Sequence, residues 1–141
     1  MRTWLAMKLM SRNMARLREG DYGPTLAFDA DDVCLHFPGQ SSWAGEYRGK
    51  QAIREWLARF AEIGLQIYPD ELVLKGWPWR MTAAIRGHIF LDEPDGTRVY
   101  DNRYVIWANL RWGRLAEYEV YEDTQKSAEL DKYLALHEPA A

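Results

Sequence analysis

Apolar residues recur at three- and four-residue steps from the start of the chain: Met7, Met10, Met14 and Leu17 fall on one stripe of a helix ending near Gly20. Such a methionine-rich stripe reads as core. Asp21-Tyr22-Gly23-Pro24 breaks the helix, and a short second helix runs to about Asp29. Val33, Leu35 and Phe37 then alternate as a strand stopped by Pro38-Gly39. The segment from Gln40 to Gly49 reads as a loop carrying Trp43 and Tyr47. Ile53, Trp56, Leu57, Phe60 and Ile63 make the most regular amphipathic helix in the sequence, with Gly64 where a left-handed cap would end it. Beyond Leu65 the period falls to two, predicting strands over 65–75, 79–91, 98–111 and 115–123, with Asp95-Gly96 and Trp112-Gly113 at hairpin turns. A last helix over 127–136 has Leu130, Tyr133 and Leu134 on one side, and 138–141 reads as a tail. Helices first and an antiparallel sheet afterwards give an α+β domain with helices packed on one face of a curved sheet. It occupies 1–141 as one unit: 1–64 mainly helical, 65–123 sheet, 124–137 a C-terminal helix.

The alternation also assigns faces. Residues 81, 83, 85, 89 and 91 are apolar while Arg80, Thr82, Arg86 and His88 intervene, so the odd positions point inward. On the next strand Tyr100, Asn102, Tyr104, Ile106, Ala108 and Leu110 form the inward set. A two-residue turn at Asp95-Gly96 sets Ile89 opposite Asn102 and makes odd positions meet even ones, so the two patterns agree. Asn102 thus lies among apolar neighbours, either as a polar point in a pocket or as an amide satisfied by backbone or water. Arg86, His88, Asp101 and Arg103 go to the outer face, in cross-strand ion pairs or a dimer contact. For the last strand two registers are open. A loop with a glycine bulge turns Ala116, Tyr118, Val120 and Glu122 inward and Glu117, Glu119, Tyr121 and Asp123 outward; a plain two-residue loop would put Glu117 and Glu119 in the pocket as acid/base candidates. The first hides the fewest carboxylates and is preferred.

Composition narrows the field. Eighteen Lys and Arg against 21 Asp and Glu leave a net charge of −3, which lacks the electrostatic drive of a nucleic-acid binder. Charges interrupt every apolar stretch before membrane-spanning length, and Lys8 interrupts the N-terminal apolar patch, so neither a membrane segment nor a secretory signal is expected. The single cysteine, Cys34, allows no internal disulfide, and the expected compartment is the cytoplasm. His36, His88 and His137 show no ligand spacing with carboxylates on a common face, so no metal site is expected; no phosphate loop or nucleophile motif appears, and no cofactor is expected. His36 reads as a surface or interface residue. Seven Trp and eight Tyr suit a pocket lining, a subunit interface or simply a bulky core.

A set of landmarks carries a resemblance. They are Glu19-Gly20-Asp21 after the first helix, Asp31-Asp32-Val33 opening a strand, Phe37-Pro38-Gly39, and Tyr47-Arg48-Gly49-Lys50 leading to Ile53. Tyr100-Asp101-Asn102 with Tyr104, Gly113-Arg114-Leu115, and Glu117-Tyr118 through Tyr121 and Asp123 complete the set. In this order the chain resembles the SnoaL-like branch of the ketosteroid-isomerase and nuclear transport factor 2 superfamily. The resemblance implies a cone-shaped α+β fold whose curved antiparallel sheet wraps a hydrophobic cavity. It also implies where family chemistry would sit. The isomerase general-base aspartate falls at Phe37, and its oxyanion-hole tyrosine and protonated acid near Met14 and Tyr104. The aspartate shared by polyketide cyclases and limonene-type epoxide hydrolases falls at Val120, and the cyclase glutamine and histidine near Tyr104 and Ile106. Arg86-x-His88 stands in for the epoxide hydrolases' Arg-x-Asp. A phenyl ring and an isopropyl group take no proton, so the standard acids of these enzymes are missing. The Tyr-Asp-Asn-x-Tyr run resembles the ketosteroid-isomerase-related subgroup.

Three functions remain open. The first is a pocket protein for a mostly apolar small molecule with one or two oxygens: Asn102, Tyr104 and Tyr118 on a carbonyl or hydroxyl, Phe37 and Trp56 stacking on the ligand, and Tyr100 beside them. The second is a cyclase, isomerase or hydrolase acting through a non-standard acid, either Glu122, the one inward carboxylate of the preferred register, or Glu117 and Glu119. Its catalytic candidates are Asn102 and Glu122; the alternative reading of Glu122 is a strand-end residue in solvent. The third is a non-enzymatic interaction module using Arg103, Trp107 and Tyr121. Val105, Trp107 and Tyr121 on the outer face also suggest a homodimer. Trp43 reads as a lid residue or a dimer contact.

Overall fold

The computed structural model describes residues 3–137; the tail read at 138–141 lies outside them. In chain order the elements are α1 (Thr3–Arg18), α2 (Gly23–Phe28), β1 (Asp29–Phe37), β2 (Gly45–Arg48), α3 (Gly49–Ile63), β3 (Gln66–Trp77), β4 (Arg80–Asp92), β5 (Arg98–Arg111), β6 (Arg114–Glu122) and α4 (Thr124–His137). The strands form one curved, unclosed sheet in the order β2-β1-β6-β5-β4-β3. Four of its five pairings are antiparallel, as expected; β1 and β6 run parallel, with α3 and four strands between them in sequence. The expected loop over 40–49 contains β2, an edge strand of four residues. Glu46, Tyr47 and Arg48 are too polar for the alternation to reveal it, and its pairing with β1 is what holds it.

Each helix buries the stripe its sequence dictates. α1 lies against β3 through Met14 and Leu17, and α3 against β1 through Ile53, Leu57 and Phe60. Gly64 ends α3 at φ +88°, a conformation that a side chain disfavours. No helix among the described residues is long and apolar enough to cross a membrane.

The two hairpins around β5 decide what faces inward, and both differ from a plain turn. Between β4 and β5 the loop has three residues, not two: Glu93 N–H donates to the Thr97 carbonyl at 2.8 Å, and Gly96 takes φ +91°. This alone would shift the register, but Arg98 pairs with Asp92 and Tyr100 with Leu91, so Val99 is an extra residue that shifts it back. Ile89 therefore faces Asn102, as the alternation requires. Between β5 and β6 the order is reversed. Trp112 and Gly113, at φ 52° and 76°, make a two-residue turn of the mirror-image type, and Leu110 pairs with Leu115. Ala116 is then bulged, so that Asn109 meets Glu117 and Ala108 meets Tyr118. The bulge lies in the strand, not in the turn, yet Tyr118, Val120 and Glu122 face inward as in the preferred register.

Candidate functional site

Beneath the concave face lies a cavity of about 130 Å³. One wall is an aromatic cluster. Phe37 from β1 and Trp56 and Phe60 from α3 meet Trp43, with Trp43 and Trp56 edge to face at 5.5 Å between ring centroids and Trp56 and Phe60 stacked at 5.8 Å. Trp43 is thus a buried wall residue rather than a lid or a dimer contact. The Arg59 guanidinium sits 4.0 Å from its ring centroid, and the adjacent Ser42 accepts from Arg59 and donates to Asp131 of α4, which ties the segment down.

Opposite this wall, Tyr100, Tyr104, Tyr118 and Glu122 reach the cavity from β5 and β6. Glu122 is half-buried rather than free in solvent. Ser127 Oγ, from the first turn of α4, donates to Glu122 Oε1 at 2.5 Å, and Tyr100 Oη donates to the same oxygen at 3.2 Å. Oε2 has no hydrogen-bond partner among the described residues. Burial pushes the Glu122 carboxyl above its ordinary range, and the two hydroxyls pull it partly back. The result is a carboxyl anchored through one oxygen at the edge of the cavity.

The remaining candidates separate by what their polar atoms already do. Asn102 is buried but does not line the cavity: its Nδ2 donates to Tyr100 Oη at 2.9 Å and to the Asp123 carbonyl at 3.0 Å, and its Oδ1 accepts from Arg103 N–H. It therefore orients Tyr100, which orients Glu122, and the polar point expected in the pocket is a fully satisfied amide behind the wall. Tyr104 lends only its ring, because its hydroxyl donates to the Tyr68 carbonyl at 2.8 Å. Gly87 permits that bond, since a Cβ there would overlap both atoms. Tyr118 is buried with a hydroxyl that has no partner among the described residues, and burial raises it above the ordinary tyrosine range. Phe37 and Val120 line the cavity; these are the positions at which the resemblance seen in the sequence sets the acids of the isomerases, cyclases and epoxide hydrolases. Glu117 and Glu119 lie outside it; Glu119 accepts from Tyr121 Oη. His88 lies on the outer face at 3.0 Å from Asp70, and Arg86 pairs with Glu71.

Three features escaped the sequence reading. Asp29 is fully buried, neither of its oxygens has a partner among the described residues, and burial raises its carboxyl to about 7 against the pull of Lys50. Its inward direction follows from pairing with Leu115 across a large irregularity in β1, which no alternation signals. Ser127 was read only as the start of the last helix. Lastly, His36 does share a face with carboxylates, contrary to the expected lack of any such grouping. It sits between Glu46 and Glu117, and Glu46 is placed by the unforeseen β2.

No protein-family model matches the sequence, and no curated protein matches it. Solved structures do resemble it. TerC, crystallised with polyporic acid, superposes with a TM-score of 0.71 at 23% identity, over 89% of this chain and 96% of TerC. A nuclear transport factor 2-like protein from Burkholderia xenovorans gives 0.68 at 22% identity, over 93% and 98% of the two chains. A cystatin-like protein from Xanthomonas campestris gives 0.70 at 17% identity, over 88% and 95%. The chain has the nuclear transport factor 2-like, or cystatin-like, α+β fold. The resemblance found in the sequence and the structural neighbours agree on it.

Proposed function

We propose that the protein binds a small, mostly apolar molecule carrying one or two oxygens, with Glu122 as the acid or base that meets it and Tyr118 as a hydroxyl donor. The supporting observation is a cavity with a nearly all-apolar wall into which one carboxyl projects, braced by Ser127 and Tyr100 through Oε1 only. Its size limits the ligand. About 130 Å³ is close to the ~150 Å³ of an apolar cavity that takes benzene, so a single ring fits while a steroid or polycyclic molecule requires the walls to part. Phe37 and Val120 remove the acids of the related isomerases, cyclases and epoxide hydrolases, so any chemistry runs through Glu122. The presence of polyporic acid in the TerC crystals is in keeping with a small organic ligand in this fold.

Intrinsic fluorescence tests the binding, because Trp43 and Trp56 both line the cavity. Titration with acetophenone and 4-nitrophenol is expected to give saturable quenching that Ala108→Trp, which fills the space, abolishes. Absence of saturable quenching by either probe, together with no small molecule in native mass spectra of the purified protein, would sink the proposal. A second reading concerns the outer face, where Val105, Trp107 and Tyr121 are 38%, 48% and 50% exposed. This patch supports a homodimer through the sheet, and Trp107→Glu is expected to halve the mass seen by sedimentation.

A further inference from the structure

On the outer face of the sheet, opposite the cavity, Cys34, His36 and Glu46 bring a sulfur, an imidazole nitrogen and a carboxylate oxygen within 4.8 Å of one another. Cys34 and His36 are two apart on β1 and so share a face; His36 pairs with Glu46 of β2, and Cys34 with Glu117 of β6. Cys34 Sγ lies 3.8 Å from Glu46 Oε1, and His36 Nδ1 lies 3.4 Å from the same oxygen. A tetrahedral zinc ion with bonds of about 2.0–2.3 Å holds its ligand atoms about 3.3–3.8 Å apart, so both spacings to the Glu46 oxygen are already those of a coordination sphere.

The other side of the imidazole completes the case. His36 Nε2 lies 3.2 Å from Glu117 Oε1, near enough that a small turn of the ring would let Glu117 accept the Nε2 proton and leave Nδ1 to the Cys34–Glu46 side. That is the carboxylate–histidine–metal arrangement, in which an outer carboxylate fixes the tautomer and strengthens the ligand. We infer that Cys34, His36 and Glu46 form a zinc site on the outer face, with Glu117 as its positioning carboxylate and a fourth position open to solvent. Thiolate, imidazole and carboxylate together suit zinc better than magnesium or calcium, which prefer all-oxygen shells. The competing cation is Arg48, whose Nη2 lies 2.8 Å from Glu46 Oε1; its side chain is 74% exposed and can turn into solvent when the ion enters. Bound zinc would pin the short edge strand β2 to β1.

The test uses tag-free protein stripped with a chelator, then titrated calorimetrically with zinc(II) and spectroscopically with cobalt(II). One ion per chain is expected at micromolar affinity or tighter, with a thiolate-to-cobalt charge-transfer band and the intense visible bands of tetrahedral cobalt. Cys34→Ser is expected to lose the charge-transfer band and at least 100-fold in zinc affinity, and Glu46→Gln, at a partly exposed position where folding is not at risk, at least tenfold. Glu117→Gln is expected to weaken binding about tenfold while keeping the band, as an outer partner does. Arg48→Ala is expected to bind at least as tightly as the wild type. No uptake by the wild-type chain, octahedral cobalt without a thiolate band, or unchanged affinity in both Cys34→Ser and Glu46→Gln would overturn the site.

Discussion

Two inward carboxyls, Asp29 at the start of β1 and Glu122 at the end of β6, live under opposite regimes. Both are pushed up by burial. Glu122 receives two hydroxyl hydrogen bonds on one oxygen, whereas Asp29 receives none. Desolvation alone thus produces a group that is ionised at a loss to the fold, while desolvation with selected donors produces one whose charged form is partly supported. The difference lies in the donors supplied by neighbouring elements: α4 brings Ser127 to Glu122, and nothing comparable reaches Asp29.

Removing the ionisation of Asp29 is the largest expected effect. The unfolded carboxyl titrates near its ordinary 3.8 and the folded one near 7, so between these values the unfolded chain has released a proton that the native state retains. Stability therefore falls as pH rises from about 4 to about 7, by up to about 1.4 kcal/mol per pH unit, and levels off above. Asp29→Asn is expected to be about 4 kcal/mol more stable than the wild type at pH 8 and nearly equal to it at pH 4, by urea denaturation at both. Equal effects at the two pH values would break the contrast. Next comes Ser127→Ala, which strips Glu122 of its shorter bond. A loss of about 1.5–3 kcal/mol is expected, with a further rise of the Glu122 carboxyl in a carbon-13 titration. Tyr100→Phe removes the longer bond, with a cost of about 1 kcal/mol and a smaller rise in the same titration. If Ser127→Ala left the Glu122 titration unmoved, its donors would not be what separates it from Asp29.

The sequence made most of the fold legible because alternation and helical stripes report burial directly. Met14, Leu17, Ile53, Leu57, Phe60 and the inward sets of β4 and β5 are core for the reason that their spacing indicates. Tyr100 and the Phe37–Trp56 wall are legible as inward positions for the same reason, whereas alternation leaves two registers for β6 and only the cost of hiding carboxylates favours the one with Tyr118 and Glu122 inward. What stayed hidden depends on partners far along the chain. Asn102 was correctly placed inside, but its satisfaction by Tyr100 and the Asp123 carbonyl is a tertiary fact. β2 carries too little apolar signal to announce itself, and with it the grouping of Glu46 and His36 was lost. Asp29 sits in a run with Asp31 and Asp32 that reads as solvated, and only the irregular pairing of β1 with β6 turns it inward. The register of β4 against β5 is the one the alternation requires although the loop has three residues, since the bulge at Val99 compensates the extra one.

Ala116 gives the molecule something like a reading frame. Were Ala116 drawn into regular pairing opposite Asn109, the turn at Trp112-Gly113 would impose its own register on the whole of β6, so that Glu117, Glu119 and Tyr121 look into the cavity while Tyr118, Val120 and Glu122 look out. A greasy chamber with one tethered acid would become a chamber lined by two acids and a phenol, with every residue type in the strand unchanged. One bulged alanine therefore decides which of two inner chemistries the same strand presents, with helices, hairpins and sheet order the same in either case.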